Sequence, residues 1–201
     1  MVKCGANYAM ALGVTLDSMA ANEAIDQVLF ATGDDITETG AANFFLADDE
    51  RVITRRLDES FLHGVTRASV IELAQHLGYE VEERTIDPDE LIDWAERGEA
   101  FLSGTAAVLA PVGTIIRDGM TLTVGDGQPG PNTMRLRQAL VDIQVGAAPD
   151  PFNWRPPVRG GPAPAPAQMA RLGDSCPSSY GIRNSRRRSR TGRRNRSTGW
   201  E

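Results

Sequence analysis

Glu38-Thr-Gly-Ala-Ala-Asn43-Phe-Phe-Leu-Ala47, then Asp48-Asp-Glu50, Arg51-Val-Ile-Thr54 and Leu62-His-Gly-Val-Thr-Arg67 form the stretch that decides the fold. Ile36-Thr-Glu38 and Asn43 to Ala47 read as a strand pair, rich in β-branched and aromatic residues around a small-residue turn. The acidic triplet 48–50 is a second turn, and Arg51 to Thr54 is a further strand. The period then changes. From Thr66 to Leu77, Val70, Leu73, Ala74 and Leu77 recur on one helical face, with Gly78 as the stop.

On the N-terminal side, a glycine-containing turn leads into a helix carrying Ala9, Leu12, Leu16, Met19 and Ala20 at helical spacing. Asp26 to Ala31 reads as a short buried strand, closed by a Gly33-Asp34-Asp35 turn. On the C-terminal side, Glu80 to Ile86 alternates like a strand and Pro88 opens a helix through Arg97. Phe101 to Thr105 is a strand and turn, Ala106 to Pro111 is again apolar, and Asn132 to Val145 is a helix with Leu136, Leu140, Val141 and Ile143 inward. Strands and helices alternate irregularly, which predicts an α+β domain rather than a doubly wound sheet.

Charge divides the chain. Residues 1–151 carry 10 basic and 25 acidic side chains, whereas residues 152–201 carry 11 arginines and 2 acidic groups. Seven of the 12 prolines lie between Pro151 and Pro177, and an Arg/Ser/Asn run without apolar periodicity follows from Arg183 to Arg196. Such a composition predicts a disordered Pro/Arg-rich tail over residues 155–201. That run could neutralise phosphates, but aromatic residues flank it only at its edges and no reading module accompanies it. Nucleic acid is therefore not expected as a partner. No stretch reaches the roughly 18 apolar residues of a membrane span. Without a signal-peptide layout at the N-terminus, a cytoplasmic protein is the expectation. Cys4 and Cys176 are too few for a zinc cluster, so no metal is expected.

Of 21 basic residues 20 are arginine, and the single lysine is Lys3. Arginine stays protonated and cannot act as an amine nucleophile, so any chemistry that needs a side-chain amine falls to Lys3. Chance retention of one lysine is the plainer alternative.

The pattern Glu38, Gly40, Asn43, Phe44-Phe45, Thr54, Gly64, Val65 and Arg67 resembles the signature of the class IV pyridoxal-phosphate aminotransferases. Val2 to Tyr8, Phe101 to Ala107, Gly125 to Pro131 and Ala139 to Trp154 are similar to the branched-chain amino-acid aminotransferases within that family. The resemblance covers residues 2–154. It implies the large, C-terminal, cofactor-binding domain of the D-amino-acid aminotransferase-like fold over residues 1–154. The family's N-terminal domain, which precedes the lysine, lies outside the resemblance.

Roles follow from the resemblance residue by residue. Lys3 matches the lysine that bonds pyridoxal 5′-phosphate and moves the substrate's α-proton. Glu38 matches the carboxylate that keeps the pyridine nitrogen protonated, and Tyr8 the residue bonded to the cofactor's phenolic oxygen. Val65 and Thr66, opening a helix, match the phosphate-binding amides, and Thr105 the phosphate hydroxyl. Ala106 and Ala107 would turn backbone N–H groups toward the substrate carboxylate.

The implied substrates are small amino acids and 2-oxo acids, and the implied assembly is a homodimer. Three alternatives stay open on these residues: a D-amino-acid aminotransferase, an aminodeoxychorismate lyase-like enzyme, and a non-catalytic remnant. Taken singly, Glu38 would be a surface strand residue, Tyr8 a helix-edge aromatic and Thr66 an ordinary N-cap. His63 reads as a substitution, His76 as solvated, and Cys4 as packed beside Lys3.

Overall fold

A computed structural model describes residues 3–59 and 62–156. The Arg/Pro-rich tail predicted above lies, from residue 157 on, outside the described residues.

The first helix, α1 (Gly5–Ala21), leads to a hairpin of β1 (Leu29–Thr32) and β2 (Asp35–Thr39). Its turn is Gly33-Asp34, where Gly33 takes φ +60°, a left-handed conformation that costs glycine nothing. β3 (Asn43–Ala47) and β4 (Arg51–Arg55) follow as an antiparallel pair. Helix α2 (Val65–His76) crosses over to β5 (Glu80–Arg84), which lies parallel to β4. After α3 (Pro88–Ala95), β6 (Glu99–Gly104) returns to the free edge of β3 and carries β7 (Val108–Val112) beside it. A separate hairpin of β8 (Thr114–Arg117) and β9 (Met120–Thr123) precedes the last helix, α4 (Pro131–Val145).

The strand path β5-β4-β3-β6-β7 is the centre of a seven-stranded mixed sheet, and β2 joins it at the first residue of β3 through the pair Glu38–Asn43. This is the α+β arrangement read from the irregular element order. Both faces of β3 are covered, which is why Asn-Phe-Phe-Leu-Ala is nearly continuously apolar. Phe45 and Phe101, paired in register, stack at 4.9 Å on the face packed by Val70, Leu73, Leu136 and Leu140. Phe44, Leu46 and Ile53 face Ile86, Leu91 and Trp94 on the other side.

Three expectations change. The segment read as a buried strand over 26–31 becomes a strand only from Leu29, and Ala31 and Thr32 are exposed. Among the described residues β1 has a ladder partner on one side only, β2. In α1 the apolar residues Leu12, Leu16 and Met19 point outward, while the small or polar Ala11, Thr15 and Ser18 are the shielded ones. Close approach explains this: a side chain on Gly40 would begin 2.9 Å from Cβ of Ala11, so only small residues fit that contact. The β8–β9 hairpin adds two strands to those read from the sequence, and Asp118-Gly119 between two β-branched runs is its local signature. Both residues adopt positive φ, +51° and +78°, the pair of left-handed conformations that a type I′ hairpin turn takes.

Candidate active site

The turn Thr39-Gly-Ala-Ala42 closes on itself: the Thr39 hydroxyl accepts from the Ala42 amide at 3.1 Å, and the Thr39 amide donates to the Ala42 carbonyl at 2.9 Å. This turn sets β2 and β3 in the register that places Glu38 opposite Asn43, and Asn43 in turn opposite Ser103 on β6. Paired residues share a sheet face, so Glu38, Asn43 and Ser103 stand in a row on the side occupied by α2.

Glu38 is half-buried and held at both carboxylate oxygens. Asn43 Nδ2 donates to Oε2 at 2.9 Å and the Leu62 amide donates to Oε1 at 3.4 Å. Burial pushes the Glu38 carboxyl up to about 7, and the Leu62 N–H only partly opposes that rise by favouring the charged form. A carboxyl poised near neutrality can hold or share a proton with a basic ring nitrogen.

Asn43 also donates to the Leu62 carbonyl at 3.2 Å, tying the segment before α2 to the same spot. Gly64, the N-cap of α2, brings no side-chain cap, and the first intrahelical bond runs from Ala68 N to the Gly64 carbonyl. The Val65, Thr66 and Arg67 amides therefore have no helical acceptor and add to the positive end of the helix dipole. Val65 is strongly exposed, so this end of the helix is open to an anion. The buried Ser103 Oγ has no hydrogen-bond partner among the described residues. A ring nitrogen facing Glu38 and a phosphate at α2 both suit these donors and acceptors.

Of the residues singled out in the sequence, Glu38 lies one residue pair from the start of α2, where Val65 and Thr66 sit. Thr105, Ala106 and Ala107 form the exposed turn after Gly104. A side chain on Gly104 would begin 3.5 Å from the Ala41 carbonyl oxygen, so this turn adjoins the Thr39–Ala42 turn. Lys3 and Tyr8 come together at the start of α1, with Lys3 Nζ 5.2 Å from the centre of the Tyr8 ring. The link between this pair and Glu38 is the contact of Ala11 with Gly40; no hydrogen bond or ion pair joins Lys3 to Glu38 among the described residues.

Thr66 is not a cap; it is the second residue of the helix. Cys4 is exposed, and His63 Nε2 meets the Asp58 carbonyl at 3.1 Å. Asn43 is the residue whose part in the site sequence reasoning missed. The available clue was its position across a tight hairpin from Glu38. A cleft of about 370 Å³ opens at the opposite end of β3 and β6, lined by Asp48, Asp49, Glu99 and Asn132, away from these residues.

A family model for class IV amino-transferases matches residues 7–115. Branched-chain-amino-acid transaminase 1 of Bacillus subtilis is 40% identical over 159 residues, which cover 76% of this chain and 44% of that protein. Among solved structures, the branched-chain amino acid aminotransferase from Escherichia coli superposes with a TM-score of 0.64 at 32% identity, over 75% of this chain and 48% of that one. The enzyme from Thermobaculum terrenum, described in its PLP holo-form, gives 0.63 at 32% identity, over 73% and 45%. The chain thus spans less than half the length of the relatives it matches. With more than half of its residues inside the family model, and with the matched strands and helix building one continuous row of polar groups, the chain belongs to the class IV aminotransferases.

Proposed function

We propose that this chain is the cofactor-binding part of a branched-chain amino-acid aminotransferase. The reaction moves the amino group of leucine, isoleucine or valine to 2-oxoglutarate, with pyridoxal 5′-phosphate as cofactor. The observation that carries this reading is Glu38, poised near neutrality on the sheet face that leads directly to the uncapped start of α2. The names and the bound PLP of the matched relatives support it.

When bound, the cofactor supplies an electron sink for the pair left when an amino acid's Cα–H bond breaks. The rest falls to this chain. Glu38 would face the ring nitrogen and hold a proton there, its carboxylate kept in place by Asn43 and the Leu62 amide. The Val65 and Thr66 amides bind the phosphate at the positive end of α2, and Thr105 adds a hydroxyl. Lys3 offers the only side-chain amine in the sequence, and it is the group that takes the proton from the substrate Cα and returns it. Tyr8, with Lys3 Nζ 5.2 Å from its ring centre, would bond the phenolic oxygen of the cofactor. Ala106 and Ala107 offer amides to the substrate carboxylate.

In this reading residues 1–154 are the cofactor-binding domain, the working form is a cytoplasmic homodimer, and the substrates are free amino acids and 2-oxo acids. No helix among the described residues is long and apolar enough to cross a membrane. The test is covalent labelling: the chain is incubated with pyridoxal phosphate, reduced with borohydride and mapped by peptide mass. A pyridoxyl adduct on Lys3 is expected, and labelling confined to the α-amine would refute the assignment.

A further inference from the structure

Asn43 is almost fully buried, and three independent contacts converge on its side chain. Nδ2 carries two hydrogens and has two acceptors, Glu38 Oε2 at 2.9 Å and the Leu62 carbonyl at 3.2 Å. That pairing orients the amide, because the reversed orientation would set Oδ1 against two oxygens. Oδ1 in turn occupies the space beside Gly64: a Cβ on that glycine would lie 2.3 Å from it. Leu62 closes the loop by donating its amide to the other Glu38 oxygen at 3.4 Å. The carboxylate and the N-cap of α2 therefore share one anchor.

We propose that Asn43 is the positioning residue of this site, a two-armed donor that holds the Glu38 carboxylate at a set place relative to the N-terminus of α2. Asn43 thereby matches the distance between an acid partner for a ring nitrogen and an anion site to one ligand class, a phosphorylated pyridine. This rests on the function proposed above. Asn43 acts through Glu38 and Gly64 and touches no reacting atom. The residue types agree with this role. Aspartate at 43 would replace the donor with a like charge, glutamine would be one methylene too long for the gap beside Gly64, and leucine would fill the volume without a donor.

The experiment uses the full chain with Asn43→Leu, Glu38→Gln and the double variant. Two quantities are read: the titration midpoint of the Glu38 carboxyl by carbon-13 NMR without ligand, assigned by its loss in Glu38→Gln, and pyridoxal phosphate affinity by absorbance. Removing a donor from the ionised carboxylate is expected to raise the midpoint by about one unit or more and to weaken pyridoxal phosphate roughly ten- to a hundredfold. Because Asn43 acts through Glu38, its substitution is expected to cost little further affinity once Glu38 is glutamine. An unchanged Glu38 midpoint, or a loss that adds in full to that of Glu38→Gln, would overturn the proposal. Should Asn43→Leu fail to fold, Asn43→Ser gives the same comparison, since a hydroxyl is too short to reach both acceptors. If the unsubstituted chain takes no pyridoxal phosphate, the proposed function fails, while the midpoint comparison still decides the role of Asn43.

Discussion

Glu38 is better accommodated protonated than charged, and this has a thermodynamic consequence. Its carboxyl is raised from about 4.5 to about 7, so the folded chain keeps a proton that the unfolded chain releases across that window. Below the lower value both states are protonated and Glu38 costs nothing. As pH rises through the window stability falls, and above about 7 the whole penalty is present. Glu38→Gln is therefore expected to leave stability unchanged at pH 4 and to raise it at pH 8 by about 1–2 kcal/mol. That figure is the ~1.4 kcal/mol per pKa unit reduced for solvent screening at a half-buried site. Urea denaturation at the two pH values reads this directly, while any transamination half-reaction should drop by orders of magnitude. At Gly64 the argument is steric. Its φ of −67° suits any residue, so Gly64→Ala pays only for the collision with Asn43 Oδ1. A loss of about 1–3 kcal/mol, with weaker pyridoxal phosphate binding, is the expected result. Wild-type stability and affinity in that variant would show that the start of α2 can shift freely.

At the scale of elements, α1 shows why an apolar stripe is not by itself a statement about what is buried. Leu12, Leu16 and Met19 recur at helical spacing, yet they are exposed, and contact with Gly40 runs through Ala11. Leu12→Ala and Leu16→Ala are expected to change stability by no more than about 0.5 kcal/mol, as for other surface positions. Ala11→Leu, a substitution that helix propensity would tolerate, is expected to cost about 1–3 kcal/mol by overpacking against the Thr39–Ala42 turn. The reverse order of effects in thermal melts would mean that α1 is rotated relative to this description. The β8–β9 hairpin teaches the opposite lesson. Asp118-Gly119 was a sufficient local signal there, because positive φ at two successive residues is a property of the turn alone.

On the scale of the whole molecule, the segment from Asp150 to Arg155 ties α2 to α4. Asp150 accepts from the Phe152 and Arg155 amides at 3.2 and 2.8 Å. The Phe152 ring meets His76 edge-on at 5.2 Å and stacks on Trp154 at 4.2 Å, so His76 is exposed but not simply solvated. Trp154 Nε1 donates to Glu72 at 3.2 Å, and Arg155 donates to the Ile143 carbonyl at 3.1 Å. Phe152→Ala and Trp154→Ala are each expected to cost about 1–3 kcal/mol in urea denaturation, and less than their sum together, because each ring packs on the other. Full additivity would show that the two side chains act separately. The sequence alone determined most of the elements and their order, though not the β8–β9 hairpin, together with the apolar centre of β3, the single amine and the family pattern. All of these rest on local properties: a period of 2 or 3.6 residues, a turn that requires glycine, or an amino-acid type at a given spacing. Tertiary structure alone decided that Glu38 is held near neutrality, that Asn43 joins it to α2, that Ser103 stands beside them, and that α1 turns its apolar face outward. Those outcomes depend on register and close approach between segments as far apart as Asn43 and Ser103, and burial created by distant neighbours has no counterpart in a local pattern.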